Sequence, residues 1–588
     1  MALKRNLLKW NLIETDANLN LMCQVLNIKK ATAAVMANRG IRSKNAALSY
    51  LNADMGHNVK ILDGMKDAKR ALDRIAKGIR QSERIMIYGD YDADGVMSTV
   101  ILYKSLKMCG ADVNFYIPHR EEEGYGLNIS AVEAIKGEDY DLIITCDNGV
   151  SALDEIAEAA GLGLDVIVID HHEPGFVEQD GIRTDVVPAA VAVVDPKQSE
   201  CSYPFKELCA AGLCFRIMDA FYQYIGRPYT IHDEMLVLAA VATVCDIVDL
   251  TGENRAIVKK GLRVFNANKN INAGLGELVK LRGYAAKPID TFTLGFVIGP
   301  CINATGRLES AEMSVRLLIS DDVNERKSLA ETLSELNEER KNLTRISTDL
   351  ALEKAKQDHS TVVVLIDEQV HESIAGIVAG RVKDALYRPV IVLTKAAEPG
   401  LLKGSGRSIE GYNLFEALYA NQELFTRFGG HAMAAGLTLK EENAQELRKR
   451  LNEACTLQES DLQNFLNADF ELPLEEVTLE LANELERLAP YGKGNREPVF
   501  ITRNLKINSL RVINEKNTII FNFEFNLGKY KNVIKGIAFG LNEVFLEELG
   551  DARWQDIMLD IAHSVESNTF NGQTSVQMRV KDFRISSV

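Results

Sequence analysis

Short apolar runs alternate with amphipathic stretches through the first half of this chain. Residues 84–90 read RIMIYGD and are followed by VMSTVILYKSLKMCG; residues 141–147 read DLIITCD and are followed by SALDEIAEAAGLG. DVIVID (165–170) and AVAVVDP (190–196) continue the series. Runs rich in Val and Ile without polar alternation, separated by helical stretches, predict parallel strands buried on both faces. Residues 231–249 predict a buried helix with Asp246 near its end. Farther along, Leu329, Leu333, Leu336, Leu343, Ile346 and Leu350 form one apolar stripe, which predicts a long helix. STVVVLIDE (360–368) and RPVIVLTK (388–395) open a second α/β unit, and from about residue 460 short strands alternate as in a small antiparallel barrel.

The fold class is therefore α/β: two α/β domains, the first with a parallel sheet, joined by a long helix and followed by an OB-like β-barrel. The expected segments are a mainly helical 1–80 packing on the first sheet domain, that domain at 81–310, a connector helix at 311–358, the second α/β domain at 359–458 and the barrel at 459–588. A length of 588 residues suits this number of units. The connector reading of the long helix favours a monomer over a coiled-coil dimer.

Composition narrows the compartment and the partners. No apolar run is long enough to span a membrane, and the first twenty residues lack the pattern of a signal peptide. Nine cysteines, with no zinc-like spacing, read as reduced thiols and point to the cytoplasm. The net charge of −16 means that a polyanion would need local positive charge or metal ions to bind. The run KYKNVIK (529–535) is locally basic.

The chemistry lies at the strand ends. Asp90, Asp92 and Asp94 follow the first run, Asp147 ends the second, and His171 and His172 follow the third. In an open α/β sheet, ligands bind at the carboxyl edge of the strands, so these segments converge on one crevice. With Asp246 the crevice would hold five carboxylates and two imidazoles. A single strand-end aspartate is more often a helix cap or turn former, and an EF-hand would need a glutamate where Ile101 stands. Several such signals at one sheet edge instead indicate two divalent ions, Mn²⁺ or Mg²⁺, with Asp147 placed to bridge them.

DYDADG, CDNG, IDHHEPG and ATVCDIVD resemble the four motifs of the DHH phosphoesterase superfamily, and GRSIEGYNLFEAL with FGGHAMAAG resembles its associated DHHA1 domain. IPHREEEGYGLN, GPCINATGRL and LAPYGKGNREPVF narrow the resemblance to RecJ-type single-stranded-DNA exonucleases. The resemblance implies a metal-dependent 5′→3′ exonuclease of DNA repair and recombination that releases 5′-mononucleotides. It implies Asp92, Asp94, Asp147, His171 and Asp246 as metal ligands, with Asp90 and His172 as ligands or as groups orienting them. It further implies Arg120, Arg307, Ser405 and Arg407 around a terminal 5′ phosphate, and His431 against the substrate. Tyr125, Tyr412 and Tyr491 are candidates for base stacking. Single-stranded DNA with a 5′ end is the implied partner, alongside a single-strand-binding protein and a helicase. Two other readings stay open: a DHH phosphodiesterase acting on short oligonucleotides or cyclic dinucleotides, and a non-catalytic replication scaffold.

Overall fold

A computed structural model describes residues 8–53, 61–120, 122–179, 182–527 and 530–586. Two compact units divide the chain: residues 11–334 with 467–588, and residues 1–10 with 335–466.

The larger unit is organised on a five-stranded parallel sheet. Its strands are β1 (Arg84–Tyr88), β2 (Asp112–Tyr116), β3 (Leu142–Cys146), β4 (Asp165–Ile169) and β5 (Ala192–Val194), in the spatial order β2-β1-β3-β4-β5. Strand periodicity divides each central strand between two cores. Ile85, Ile87, Leu142, Ile144, Ile167 and Ile169 enter the larger core, whereas Met86, Tyr88, Ile143, Val166 and Val168 enter a smaller one on the other face. This double burial explains why the runs carry no polar alternation.

Helices α1 (Ala93–Met108), α2 (Ala210–Tyr224) and α3 (His232–Cys245) cover the larger face and are themselves buried almost all round. Helix α4 (Gly299–Leu308) continues a π-helical turn, Leu294–Ile298, and a short helical piece, Thr291–Thr293. Helix α5, Val323–Lys356, is the long helix, but it is shorter than the expected 311–358. Glu312–Ile319 forms a separate helix, because Asp322 accepts the Asn324 N–H at 2.7 Å and starts α5 afresh. The apolar stripe on α5 is also uneven: Leu333 is buried, whereas Ile346 and Leu350 are exposed.

The smaller unit holds β6 (Val363–Ile366), β7 (Val390–Lys395), β8 (Leu401–Arg407), β9 (Phe425–His431) and β10 (Ala434–Lys440), ordered β9-β10-β8-β7-β6. Only β6 and β7 pair in parallel; the others are antiparallel.

In the larger unit, β11 (Phe500–Ile513), β12 (Thr518–Leu527), β13 (Tyr530–Phe539), β14 (Met558–Phe570) and β15 (Gln573–Ser586) close a barrel in the order β11-β12-β13-β15-β14-β11. Ile519, Phe521 and Phe523 fill it from one strand. The N-terminal helices between Leu19 and Asn52 join this barrel core rather than packing solely on the first sheet domain. The physical reason is the nearly all-buried ATAAVMA stretch, whose helix start is tied to Glu484: Lys29 N and Thr32 Oγ1 donate to its Oε2 at 2.9 and 2.7 Å. Arg255 joins the segment to the sheet domain, its guanidinium 3.9 Å from the Tyr50 ring centroid and bonded to Pro490 O and Ala489 O.

Candidate metal centre

The turn after β1 is built by its own acids. Asp92 is the N-cap of α1, its Oδ1 accepting Asp94 N at 2.8 Å and Gly95 N at 3.2 Å. A Cβ on Gly95 would lie 2.5 Å from the Asp90 carbonyl oxygen, so only glycine lets the chain turn into the helix here. Asp94 is buried and reaches the start of α2, accepting Ala210 N and Ala211 N at 2.8 Å each. Carboxylates at two helix N-termini gain from the unpaired N–H groups there. Capping does not by itself preclude metal binding at such residues, since an ionised carboxylate has about four lone-pair sites.

Asp147 follows β3 with a left-handed φ of 65°. Its backbone oxygen accepts the Tyr125 hydroxyl at 2.8 Å, which holds the turn. His171 Nε2 lies 3.1 Å from Asp147 Oδ1, 3.8 Å from Asp94 Oδ2 and 3.9 Å from Asp246 Oδ2. Asp246 caps the C-terminus of α3. All seven expected residues thus meet at the sheet's carboxyl edge. Three triads have ligand atoms within 4.8 Å of one another: Asp90–Asp92–Asp147, Asp94–His171–Asp246 and Asp147–His171–His172.

The electrostatics call for positive charge. Burial, then repulsion from Asp92, pushes the Asp94 carboxyl up to about 7. Burial and Asp94 do the same to Asp246, also to about 7. Asp147 and Asp90 are raised well above the usual carboxylate range for the same two reasons. One Asp90 oxygen is buried with no hydrogen-bond partner. Oxygen and imidazole donors without thiolate, an orphaned carboxylate oxygen and mutually repelling acids together fit hard divalent cations.

Asp170, which sequence reasoning passed over, organises the two histidines. Its Oδ1 accepts the backbone N–H of His171 at 2.8 Å and Nδ1–H of His172 at 2.7 Å, while Oδ2 accepts Val150 N at 2.9 Å. Burial would raise Asp170, but the hydrogen bond and charge of His172 outweigh it and hold the carboxyl below its ordinary value. The same bond overcomes the burial of His172 and lifts its imidazole to about 9, while burial and His172 lower His171. The signal was present as the aspartate that ends the third strand run.

Around this nest, Tyr91 collects two of the expected phosphate-binding arginines. The Arg120 guanidinium lies 4.9 Å from its ring centroid. Burial and Asp90 raise the phenol to about 12, against the lowering fields of Arg120 and Arg307. Asn303, a second residue not foreseen, accepts Ala93 N at 2.7 Å, and a Cβ on Gly306 would lie 2.2 Å from the Tyr91 carbonyl oxygen. Tyr125 is 55% exposed with its ring edge-on to His172, which suits a base contact. Tyr491 and Tyr412 are instead packed against hydrophobic cores, the former with its hydroxyl bonded to Leu485 O.

In the smaller unit, Arg407 Nη1 donates to Ser405 Oγ at 3.0 Å. A Cβ on Gly376 would lie 2.7 Å from Arg407 Nη2 and 2.8 Å from Ser405 Oγ, so that glycine keeps the pair accessible. His431 is exposed on β9, its Nδ1 accepting Met433 N at 3.3 Å. In the barrel, Lys531 of the basic run pairs with Glu524 at 2.9 Å; Lys529 lies outside the described residues. All nine cysteines are thiols rather than half-cystines. Among the described residues, no helix is long and apolar enough to cross a membrane.

Comparison with known proteins agrees with this geometry. Residues 84–243 match the DHH family, N-terminal domain; residues 358–457 match the DHHA1 domain; residues 468–582 match the RecJ OB domain. The single-stranded-DNA-specific exonuclease RecJ of Bacillus subtilis is 36% identical over 98% of this chain and 71% of its own length. The crystal structure of RecJ from Thermus thermophilus in complex with Mn²⁺ superposes with a TM-score of 0.82 at 28% identity, covering 99% of this chain and 80% of that one. Its complex with Mg²⁺ gives 0.75 at 26% identity, covering 99% and 79%. With its three domains matched in order and its acids and histidines gathered at one sheet edge, the chain belongs to the RecJ family of single-stranded-DNA-specific exonucleases.

Proposed function

We propose that this chain is a 5′→3′ exonuclease that hydrolyses single-stranded DNA to 5′-mononucleotides with Mn²⁺ or Mg²⁺, in DNA repair and recombination. The observation that carries the reading is that Asp147 and His171 each belong to two neighbouring triads, so that two cations would share ligands. The ligands are Asp92, Asp94, Asp147, His171 and Asp246; Asp90 and His172 complete or orient the set. Two bound cations supply the charge that activates a water and stabilises the attacked phosphate.

The protein's own groups do the rest. Asp170 holds Nδ1–H of His172 and so fixes the orientation of its ring beside His171. Tyr125 holds the backbone of Asp147 in its left-handed turn. Arg120 and Arg307, both acting on Tyr91 beside the metal loop, bind the terminal phosphate through charge-assisted hydrogen bonds. Holding that phosphate sets the scissile bond one nucleotide along, so direction and product length follow from distance. Ser405 and Arg407 are the smaller unit's own contacts to a terminal 5′ phosphate, and His431 is its contact to the substrate.

The segment limits at 80, 310, 358 and 458 serve in this reading as functional boundaries, with the barrel tracking the strand. The nine cysteine thiols support a reducing, cytoplasmic location. The protein acts as a monomer on strands delivered by a helicase and a single-strand-binding protein, a point tested by sedimentation and by pull-down with each.

The deciding experiment is digestion of 5′- and 3′-labelled single strands with Mn²⁺ and with chelator. Mononucleotides released from the 5′ end only when metal is present support the reading. Release from the 3′ end, or turnover in chelator, sinks it.

A further inference from the structure

The continuous helical run from Thr291 to Leu308 presents one face on which Phe292, Phe296, Pro300, Asn303 and Arg307 all keep exposed surface, at spacings of 4, 4, 3 and 4. Two points on this face are anchored to the reaction site. Asn303 holds Ala93, between Asp92 and Asp94, and Arg307 acts on Tyr91 one turn farther on. Toward the other end stand Phe292 and Phe296, 57% and 69% exposed, with rings stacked at 5.1 Å and 21°. Two phenyl rings left in water are an unrecovered hydrophobic cost unless something covers them.

The π turn that bears Phe296 is seated directly on the last turn of α3. Cys245 Sγ donates to Leu294 O at 3.6 Å, and a Cβ on Gly299 would lie 2.3 Å from that sulfur. The residues that follow α3 are Asp246, a proposed ligand, and Ile247, itself 66% exposed. The end of α3, where Ile247 is exposed next to Asp246, therefore adjoins the turn that bears Phe296. At a rise of about 1.5 Å per residue, Phe296 and Phe292 lie roughly 16 and 22 Å from Arg307 along the helix. Those distances take about five to seven nucleotides at the ~3.4 Å spacing of stacked bases.

We propose that Phe292 and Phe296 form a stacking platform for the bases of single-stranded DNA on the 3′ side of the scissile phosphate. The proposal rests on the exonuclease reading above, with the 5′ phosphate at the Arg307 end. Aromatic faces accept any base, so the platform adds affinity for unpaired strands without sequence preference. A duplex offers no free base face to stack on, and the pair therefore contributes to strand selectivity.

The test uses the full chain and 5′-phosphorylated oligothymidylates of two to twelve nucleotides. In the wild type, kcat/KM rises once the strand is long enough to reach the pair. F292A/F296A loses about tenfold more on the dodecamer than on the dinucleotide, whereas F292Y/F296Y keeps the length dependence. A 2-aminopurine at about the fifth to seventh position is quenched by the wild type and stays bright with F292A/F296A. An unchanged length profile, or equal loss on both substrates, overturns the platform. So does a shift in sedimentation without a change in strand affinity, which would assign the pair to contact between copies. If the wild type hydrolyses neither substrate, the exonuclease reading fails by itself, and anisotropy with the same ladder still decides whether the pair binds strands.

Discussion

Asn303 accepts the backbone N–H of Ala93 at 2.7 Å across 210 residues of sequence. Through this one bond, α4 fixes the turn that presents Asp92 and Asp94. Asn303→Ala leaves a partly buried N–H unpaired, at a cost of about 1–3 kcal/mol. The expected outcome is about 10- to 100-fold weaker Mn²⁺ binding by titration calorimetry, with the fold retained by circular dichroism. Unchanged metal affinity would confine Asn303 to a packing role.

Asp147 is shared between two triads, and the proposed function makes it a ligand to both cations. Asp147→Ala should lower hydrolysis by at least about 1,000-fold, the order seen when one member of a concerted set is removed. Strand affinity, read by anisotropy, should persist. Wild-type turnover by this variant with added Mn²⁺ would remove the residue from the reaction.

Asp170→Asn keeps the shape of the side chain but removes the charge that orients His172. A loss of about 10- to 100-fold in metal affinity is expected, the usual cost of losing a ligand's orienting partner. The imidazole proton resonances of His172 should titrate nearer the ordinary histidine range, well below about 9. Titration unchanged from the wild type would contradict the assignment.

Metal removal should make stability depend on pH with a definite sign. In the metal-free fold Asp94 and Asp246 titrate near 7, against an ordinary 3.8 when unfolded. Between those values the folded chain binds more protons than the unfolded one, so stability falls as pH rises from about 4 to 7 and stays reduced above. In chelator, Tm should therefore drop from pH 5 to pH 8, and Mn²⁺ should restore it at pH 8. A Tm that rises over that window in chelator would show that these acids are already compensated.

Arg307→Ala and Arg407→Ala are each expected to cost about 10- to 100-fold in kcat/KM on 5′-phosphorylated strands, as loss of charge-assisted bonds does. The loss should be much smaller on 5′-hydroxyl strands. Equal losses on both substrates would exclude the tested arginine from phosphate reading.

The central strands were legible because double burial leaves an uninterrupted apolar signature, and each such run ended in an acid. Edge elements left no such mark. Asp112–Tyr116, at the sheet margin, reads DVNFY with exposed positions, and the hairpin of Gly175–Gln179 and Ile182–Val186 has a wholly exposed first strand. The N-terminal helices were recognisable as helices, but their apolar faces match a barrel core and a sheet domain equally well. Tyr491 and Tyr125 illustrate the same limit: both are tyrosines beside family motifs, yet one is packed in a core and the other faces the site.

The sequence by itself determined the order of the domains, the strand-end acids and the histidine pair, because local periodicity and turn chemistry are written in neighbouring residues. Only the tertiary structure decided which atoms meet: Asp94 with the start of α2, Asn303 with Ala93, Arg120 over Tyr91, and Phe292 against Phe296 in open solvent. Apart from the phenylalanine pair, these partners lie far apart along the chain. Their contact depends on how whole helices seat on a sheet, and no short stretch of residues encodes that.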